Sequence, residues 1–387
     1  MRSVKEADVA GKCVLVRVDF NVPLKNGKIS DDKRIRAALP TIEFLRKKKA
    51  KVILMSHLGR PDGKIAEDLR LGPVALHLSK LLKHPVHYVF DCIGAEIEDT
   101  VRGLHEGDVL LLENLRFYPE EEANDIGFAQ KLAALADVYV NDAFGVSHRA
   151  HTSVHAITKY MPSYAGFLLQ KEVDILSSLL KSPKRPFIAI MGGAKVSDKI
   201  GVIENLLKKV DAILIGGAMM FTFYKALGYE VGKSKFEADK ISLAKSLLKK
   251  GKRKIVLPTD MIIASSSDKK GRVCSANKIP KNTMGLDIGP ETQAVYAEII
   301  SEAKTVFWNG PMGLFEKKSF AKGTFAVAKA MAKAKAVTVV GGGDSVAAVE
   351  RLKLKFTHVS TGGGASLELL EGRKLPGIAA LDENKLD

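Results

Sequence analysis

Short apolar runs alternate with longer amphipathic stretches from one end of the chain to the other. Cys13–Val18, Val52–Ser56, Val86–Phe90, Val109–Glu113, Val138–Asn141, Phe187–Met191, Ala212–Ile215, Lys254–Leu257, Thr305–Trp308, Val337–Val340 and Thr357–Val359 read as strands. Several are unbroken Val/Ile/Leu runs rather than alternating ones, as expected of strands buried on both faces of a parallel sheet. Between them, Asp32–Lys49, Leu71–Leu82, Phe128–Ala136, Lys199–Lys209 and Phe320–Lys333 repeat apolar residues at helical spacing. Alternating βα units predict parallel sheets with right-handed crossovers, hence an α/β fold. The stretch AGFLLQKEVDILSSLLKSP predicts one helix stopped by Ser182-Pro183, which sets a boundary between two lobes near residues 165–185.

Composition agrees with that division. A chain of 387 residues exceeds the roughly 250–300 at which single cores stop growing. Hydrophobic residues make up 46% and charged residues 27%, the balance of an ordinary globular protein. No apolar stretch approaches the ~20 residues of a membrane span, and no apolar leader precedes the first strand. The three cysteines, Cys13, Cys92 and Cys274, are scattered, which argues for a reducing, cytoplasmic setting. A net charge of +16 reads either as a solvated lysine-rich surface or as a field for anionic partners. Aromatics are only 6% and do not alternate with basic residues, so a nucleic-acid partner is disfavoured.

The candidate chemistry lies where strands end. The runs Val52–Pro61, Phe187–Lys199, Ala212–Met220, Thr305–Glu316 and Val337–Ser345 each close in a glycine-rich or basic loop. Open parallel sheets bind ligands beyond the carboxyl ends of their strands, and glycines there let backbone N–H groups approach an anion. Lys195 and Lys199, four apart, are expected on one face of a helix near its N-terminus. Gly342, Gly343, Asp344 and Ser345 suggest an anion-binding turn with a carboxylate suited to Mg²⁺. Asn309 and Pro311 form a rigid turn after a buried strand, and Glu316 is placed to accept a ribose hydroxyl. In the first half, Arg34, Arg60, Arg116 and Arg149 arrive from separate loops, and their fork geometry matches carboxylate and phosphate. The segment GYEVGKS lacks the spacing of a phosphate-binding P-loop. His148, His151 and His155 lack the partners of a zinc site.

The segments VRVDFNVP, DDKRIRAALPTI, SHLGRP, ENLRFYPEE, NDAFGVSHRAH, GGAKVSDKIG, GGAMMFTF, GLDIGPET, WNGPMGLFE, VVGGGDS and STGGGASLELLEG closely resemble, in order, those of the phosphoglycerate kinase family. The resemblance implies two Rossmann-like lobes joined by a connecting helix and hinge. The expected divisions are 1–167 for a phosphoglycerate-binding lobe, 168–183 for the helix, 184–365 for a nucleotide-binding lobe, and 366–387 for a segment returning to the first lobe. It implies a reversible, in-line phosphoryl transfer from 1,3-bisphosphoglycerate to ADP, with lobe closure and STGGGAS as the candidate hinge. Carried over by position, Asp19, Phe20, Asn21, Arg34, His57, Leu58, Gly59, Arg60, Arg116 and Arg149 form the 3-phosphoglycerate site. Lys199, Gly217, Gly285, Asn309, Pro311, Glu316, Gly342, Gly343, Asp344 and Ser345 form the ATP/ADP site, with Asp344 the Mg²⁺ contact. Arg34, Lys195 and Lys199 are the catalytic candidates. The substrates are small molecules, no membrane partner is implied, and a monomer is expected. Another carboxylate kinase, or an added nucleic-acid-binding surface, is the alternative reading.

Overall fold

A computed structural model describes residues 1–386 and resolves two compact units. The first spans Met1–Asp174 together with the stretch from Lys374 onward, and the second spans Ile175–Arg373. The first division falls inside the helix Phe167–Lys181. The chain leaves the second unit at Lys374 rather than 366, because helix Gly364–Leu370 lies with helix Ile200–Leu207 and Asn205 Nδ2 donates to Leu370 O at 2.7 Å. The returning segment is then tied in place: Gly377 N donates to Ser147 O at 2.9 Å, and Asn384 accepts from Ser163 N at 3.1 Å. Among the described residues, no helix is long and apolar enough to cross a membrane.

The first unit carries strands β1 (Cys13–Arg17), β2 (Leu24–Lys25), β3 (Lys28–Ile29), β4 (Lys51–Met55), β5 (His87–Tyr88), β6 (Val109–Leu111), β7 (Val138–Asn141) and β8 (Ser163–Ala165). Six of them form one sheet in the order β5-β6-β4-β1-β7-β8, every pairing parallel. β2 and β3 make a separate hairpin. Val14, Val16, Val52, Leu54, Val109 and Val140 are sealed in its core against Ile35, Ala38, Ile42 and Leu45 of helix Lys33–Lys47.

The second unit carries β9 (Phe187–Met191), β10 (Ala212–Ile215), β11 (Ile255–Val256), β12 (Asp260–Ala264), β13 (Arg272–Ser275), β14 (Met284–Ile288), β15 (Thr305–Asn309), β16 (Val337–Gly341) and β17 (His358–Val359). Its parallel sheet runs β11-β10-β9-β15-β16-β17. That is the 3-2-1-4-5-6 order of dinucleotide-binding folds, whose ligand crevice opens between the first and fourth strands. Here those are β9 and β15, paired from Thr305 opposite Phe187 to Asn309 opposite Met191.

All eleven expected strands are present, although β5, β11 and β17 shrink to two residues. The antiparallel sheet β13-β12-β14 was not expected. β13 is largely exposed and β14 contains Gly285 and Asp287, so neither shows an apolar run.

Candidate active site

In the first unit, the loops after β1, β4, β6 and β7 open at the carboxyl end of one sheet. Together with Arg34 from helix Lys33–Lys47 they enclose a cavity of about 240 Å³. It is lined by Asp19, Asn21, Arg34, His57, Gly59, Arg60, Arg116, Gly145, Val146, His148 and Arg149. Asp19 holds Arg34, with Nη1 at 3.1 Å from Oδ1 and 3.0 Å from Oδ2, and the same nitrogen donates to Asn21 O at 3.2 Å. Asn21 Oδ1 in turn accepts from Gly59 N at 3.0 Å, so one residue after β1 fixes the loop after β4. Arg116 Nη1 donates to Gly59 O at 2.8 Å, and Nη2 pairs with Glu122 at 3.1 Å. Its buried Nε has no hydrogen-bond partner, an unspent donor such as an anion would satisfy. Burial chiefly lowers the Arg116 pKa, yet a guanidinium stays charged.

Eight of the ten expected phosphoglycerate contacts line the cavity; Phe20 and Leu58 do not. Their side chains are 0% and 2% exposed in the core. Their backbones instead shape the loops, Phe20 N donating to Ser56 Oγ at 2.9 Å and Leu58 N to Asn114 Oδ1 at 3.2 Å. Gly145 and Val146 are lining residues that sequence reasoning passed over, and His148, weighed only as a zinc ligand, also lines the cavity; all sit in the NDAFGVSHRAH segment.

In the second unit, three glycine-bearing loops lock together beyond the carboxyl ends of β9, β10 and β15. Gly192 N donates to Asn309 O at 2.9 Å, Gly193 N to Pro311 O at 3.0 Å, Gly217 N to Met312 O at 2.9 Å and Met219 N to Gly193 O at 3.1 Å. Gly217 has φ +66, and a Cβ there would stand 2.4 Å from Gly193 N. Only glycine allows such backbone contact. Gly310 N donates to Ser345 Oγ at 2.6 Å, joining this cluster to the turn after β16. There Gly342 (φ +86) precedes helix Gly343–Arg351 and packs against the Asn309 amide.

Lys199 points into this cluster and hydrogen-bonds Asn309 Oδ1. Burial lowers its pKa to about 8, against the opposing pull of Asp198 and Asp344. Asn309 Nδ2 is buried without a partner. A charged lysine, an unspent amide donor and a fresh helix N-terminus therefore converge where a phosphate would be favoured.

The expected helical face for Lys195 and Lys199 is not formed. Lys199 closes the 3₁₀ turn Ser197–Lys199, and the helix begins only at Ile200. Lys195 lies before that turn in an exposed loop. Gly285 sits on β14, where a Cβ would strike Phe221 at 2.3 Å, so its glycine is demanded by packing. Leu314 N donates to Leu286 O at 2.8 Å, which brings the turn carrying Pro311 and the exposed Glu316 onto that strand. Asp344 is exposed in the first turn of its helix. Among the described residues, no group of three or more His, Cys, Asp or Glu could hold a metal ion.

A family model described as phosphoglycerate kinase matches residues 4–373. The chain belongs to the phosphoglycerate kinase family. It is 56% identical over 388 residues to the phosphoglycerate kinase of Dictyoglomus turgidum, covering 98% of each chain. The phosphoglycerate kinase of Moorella thermoacetica is also 56% identical, over 98% of this chain and 99% of that one. The solved phosphoglycerate kinase structure from Coxiella burnetii superposes with a TM-score of 0.89 at 41% identity, over 98% of both chains. The two-lobed α/β architecture is that of phosphoglycerate kinases, and neither another carboxylate kinase nor a nucleic-acid role is favoured.

Proposed function

We infer that this phosphoglycerate kinase transfers a phosphoryl group reversibly between 1,3-bisphosphoglycerate and ADP, and that its two sites divide the substrates. The cavity of the first unit takes 3-phosphoglycerate or its acyl phosphate, and the glycine cluster of the second takes the nucleotide. The single observation that carries this division is the convergence of Arg34, Arg60, Arg116 and Arg149 on one cavity of about 240 Å³. Such a concentration of guanidiniums is costly without an anionic occupant.

In the ATP-consuming direction the attacking group is a carboxylate, already ionised at neutral pH because its pKa lies near 4. No general base is needed, and positioning with charge neutralisation does the work. Arg34 and Lys199 are assigned to the transferring group, with the exposed Lys195 free to swing toward it. Arg60, Arg116 and Arg149 grip the substrate's fixed anions. Asp344, a carboxylate with no hydrogen bond among the described residues, fits Mg²⁺, which usually takes one or two carboxylates plus substrate phosphates. When bound, the ion would neutralise charge on the nucleotide phosphates. Scattered, unpaired cysteines support a reducing cytoplasmic setting, and we propose a monomer.

The test is a coupled assay with 3-phosphoglycerate and Mg-ATP, the acyl phosphate being reduced by an NADH-linked enzyme. Lys199→Ala should lower kcat by at least about two decades with the fold intact. Arg116→Met should raise KM for 3-phosphoglycerate and leave KM for Mg-ATP in place. A folded protein that shows no signal dependent on both substrates would overturn the assignment.

A further inference from the structure

A charged cluster beside the phosphoglycerate cavity reaches it only through His57, while its charged members, Arg17 and Glu121, are absent from the lining. Arg17, the last residue of β1, is 1% exposed. Its Nε donates to Ser153 Oγ at 2.7 Å, Nη1 to Val18 O at 2.5 Å, and Nη2 contacts His57 Nδ1 at 3.2 Å. Glu121, fully buried, balances its charge from 3.8 Å and is itself held by Ser153 N at 3.0 Å and Ser153 Oγ at 2.6 Å. The cluster draws on β1, on the loop after β4, on helix Pro119–Ala123 and on the segment after β7.

A guanidinium has five donors and no acceptor. His57 Nδ1 must therefore accept, and in a neutral ring the proton then sits on Nε2. Nε2 has no hydrogen-bond partner among the described residues, and the ring lines the cavity. We propose that Arg17 is a positioning residue that holds His57 as the neutral Nε2–H tautomer, so that the imidazole donates an uncharged hydrogen bond to a carboxylate or phosphate oxygen of the bound phosphoglycerate. This rests on the assignment of that cavity given above.

The surroundings oppose any other state of the ring. Arg17 on β1, Arg34 on helix Lys33–Lys47, Arg116 in the turn after β6 and His151 in the segment after β7 all face it. Asp19 is the carboxylate on the same cavity wall, and it is committed to Arg34. Burial first, and then Arg17, Arg116 and Arg34, hold the His57 pKa well below its ordinary value. His151 is likewise pushed down to about 3, chiefly by burial, and so adds no charge at neutral pH. The arginines thus supply the charge for the substrate, while His57 supplies direction.

The deciding experiment reads the wild-type protein: long-range ¹H–¹⁵N correlation spectra of histidine-labelled, substrate-free protein, with the His57 signals assigned by their loss in His57→Gln. The proposal expects an unprotonated Nδ1 and a protonated Nε2, unchanged from about pH 5 to 8. A proton on Nδ1, or a charged ring in that range, overturns it. In Arg17→Met/Glu121→Gln, which removes the ion pair as a unit, the single tautomer should be lost. KM for 3-phosphoglycerate should rise about tenfold and KM for Mg-ATP stay unchanged. An unchanged phosphoglycerate KM in that folded variant also counts against the role. If the double variant does not fold, the wild-type spectrum still decides. A locked tautomer in a protein without kinase activity would sink the substrate assignment, not the Arg17–His57 lock.

Discussion

Raising the pH above 8 should weaken productive encounter with nucleotide, because Lys199, aimed at the glycine cluster to which we assign the nucleotide, loses its proton there. Lys199 is held at about 8 by burial, with Asp198 and Asp344 pulling it partly back. A group titrating at about 8 is about 90% charged at pH 7 and about 10% charged at pH 9. Since kcat/KM reports the free enzyme's groups, kcat/KM for Mg-ATP should fall about ninefold between those pH values. kcat should hold up better, because bound phosphate favours the charged form and raises the pKa in the complex. Lys199→Arg, whose guanidinium does not deprotonate, should flatten the alkaline limb while lowering the absolute rate. The assay is the coupled reaction at saturating 3-phosphoglycerate and Mg²⁺. A wild-type kcat/KM that stays level to pH 9, or the same limb in Lys199→Arg, would refute the reasoning. The stability counterpart has a definite sign. The folded pKa lies below the unfolded 10.5, so between pH 8 and 10.5 the unfolded chain binds more protons and stability rises with pH. The contribution is at most about 3 kcal/mol at 1.36 kcal/mol per pKa unit.

Two further perturbations probe the scaffold. Gly310→Ala places a Cβ 2.2 Å from Gly192 O at φ +96; it should cost more than about 2 kcal/mol in thermal unfolding and weaken nucleotide binding, and a neutral effect would mean the β9–β15 loops can part easily. Asp142, fully buried just after β7, accepts from Leu168 N at 2.8 Å and Leu169 N at 3.2 Å, and burial raises its pKa to about 7. Its folded value stands above the unfolded 3.8, so its contribution favours folding at low pH and is lost as pH rises from about 4 through 7. Asp142→Asn, which keeps an accepting oxygen, should remove that decline and gain on the order of 2–4 kcal/mol at pH 8 in urea unfolding. A gain equal at pH 4 and pH 8 would show that the carboxyl does not titrate in this window.

Strand existence was legible because buried parallel strands announce themselves as unbroken apolar runs, as Phe187–Met191 and Val337–Val340 do. β13 and β14 were not, since antiparallel strands partly open to solvent need no such run: β13 is Arg272-Val273-Cys274-Ser275 and mostly exposed. Residues 261–264 of β12, mostly buried, are by contrast a short apolar run that was passed over. The site loops were legible from glycine and arginine at strand ends. Their individual roles were not. Leu58 sits between two cavity residues yet is 2% exposed, and only the three-dimensional turn distinguishes a side chain used for contact from one used for packing. Lys195 failed for another reason. A four-residue spacing implies a shared face only within a helix, and Lys199 precedes the helix it was expected to occupy. Arg17 carried a readable signal, a charge inside the apolar run Val14-Leu15-Val16-Arg17-Val18. A buried charge demands partners, but sequence does not name Glu121, Ser153 and His57 as those partners.

The lysine-rich character, which no motif explained, follows in part from the same topology that builds the sites. In a parallel βα fold the helices run back against the strands, so helix C-termini gather at the rim where strands begin, away from the carboxyl ends that bind ligand. Helix C-termini carry partial negative charge and favour lysine and arginine. In the first unit, helix Lys33–Lys47 ends in Arg46 and Lys47 just before β4. In the second, helix Ile241–Gly251 has Lys249 and Lys250 in its last turn, followed by Lys252, Arg253 and Lys254 before β11. Lys208 and Lys209 precede β10, and Lys333 closes the helix before β16. Each of these positions gains from the dipole whether or not a ligand exists. The basic surface and the basic cavity therefore have different physical origins. Lysines at the strand-start rim answer to local helix electrostatics, whereas the arginines over the first cavity, two of them committed to Asp19 and Glu122, mark the end whose chemistry suits an anion.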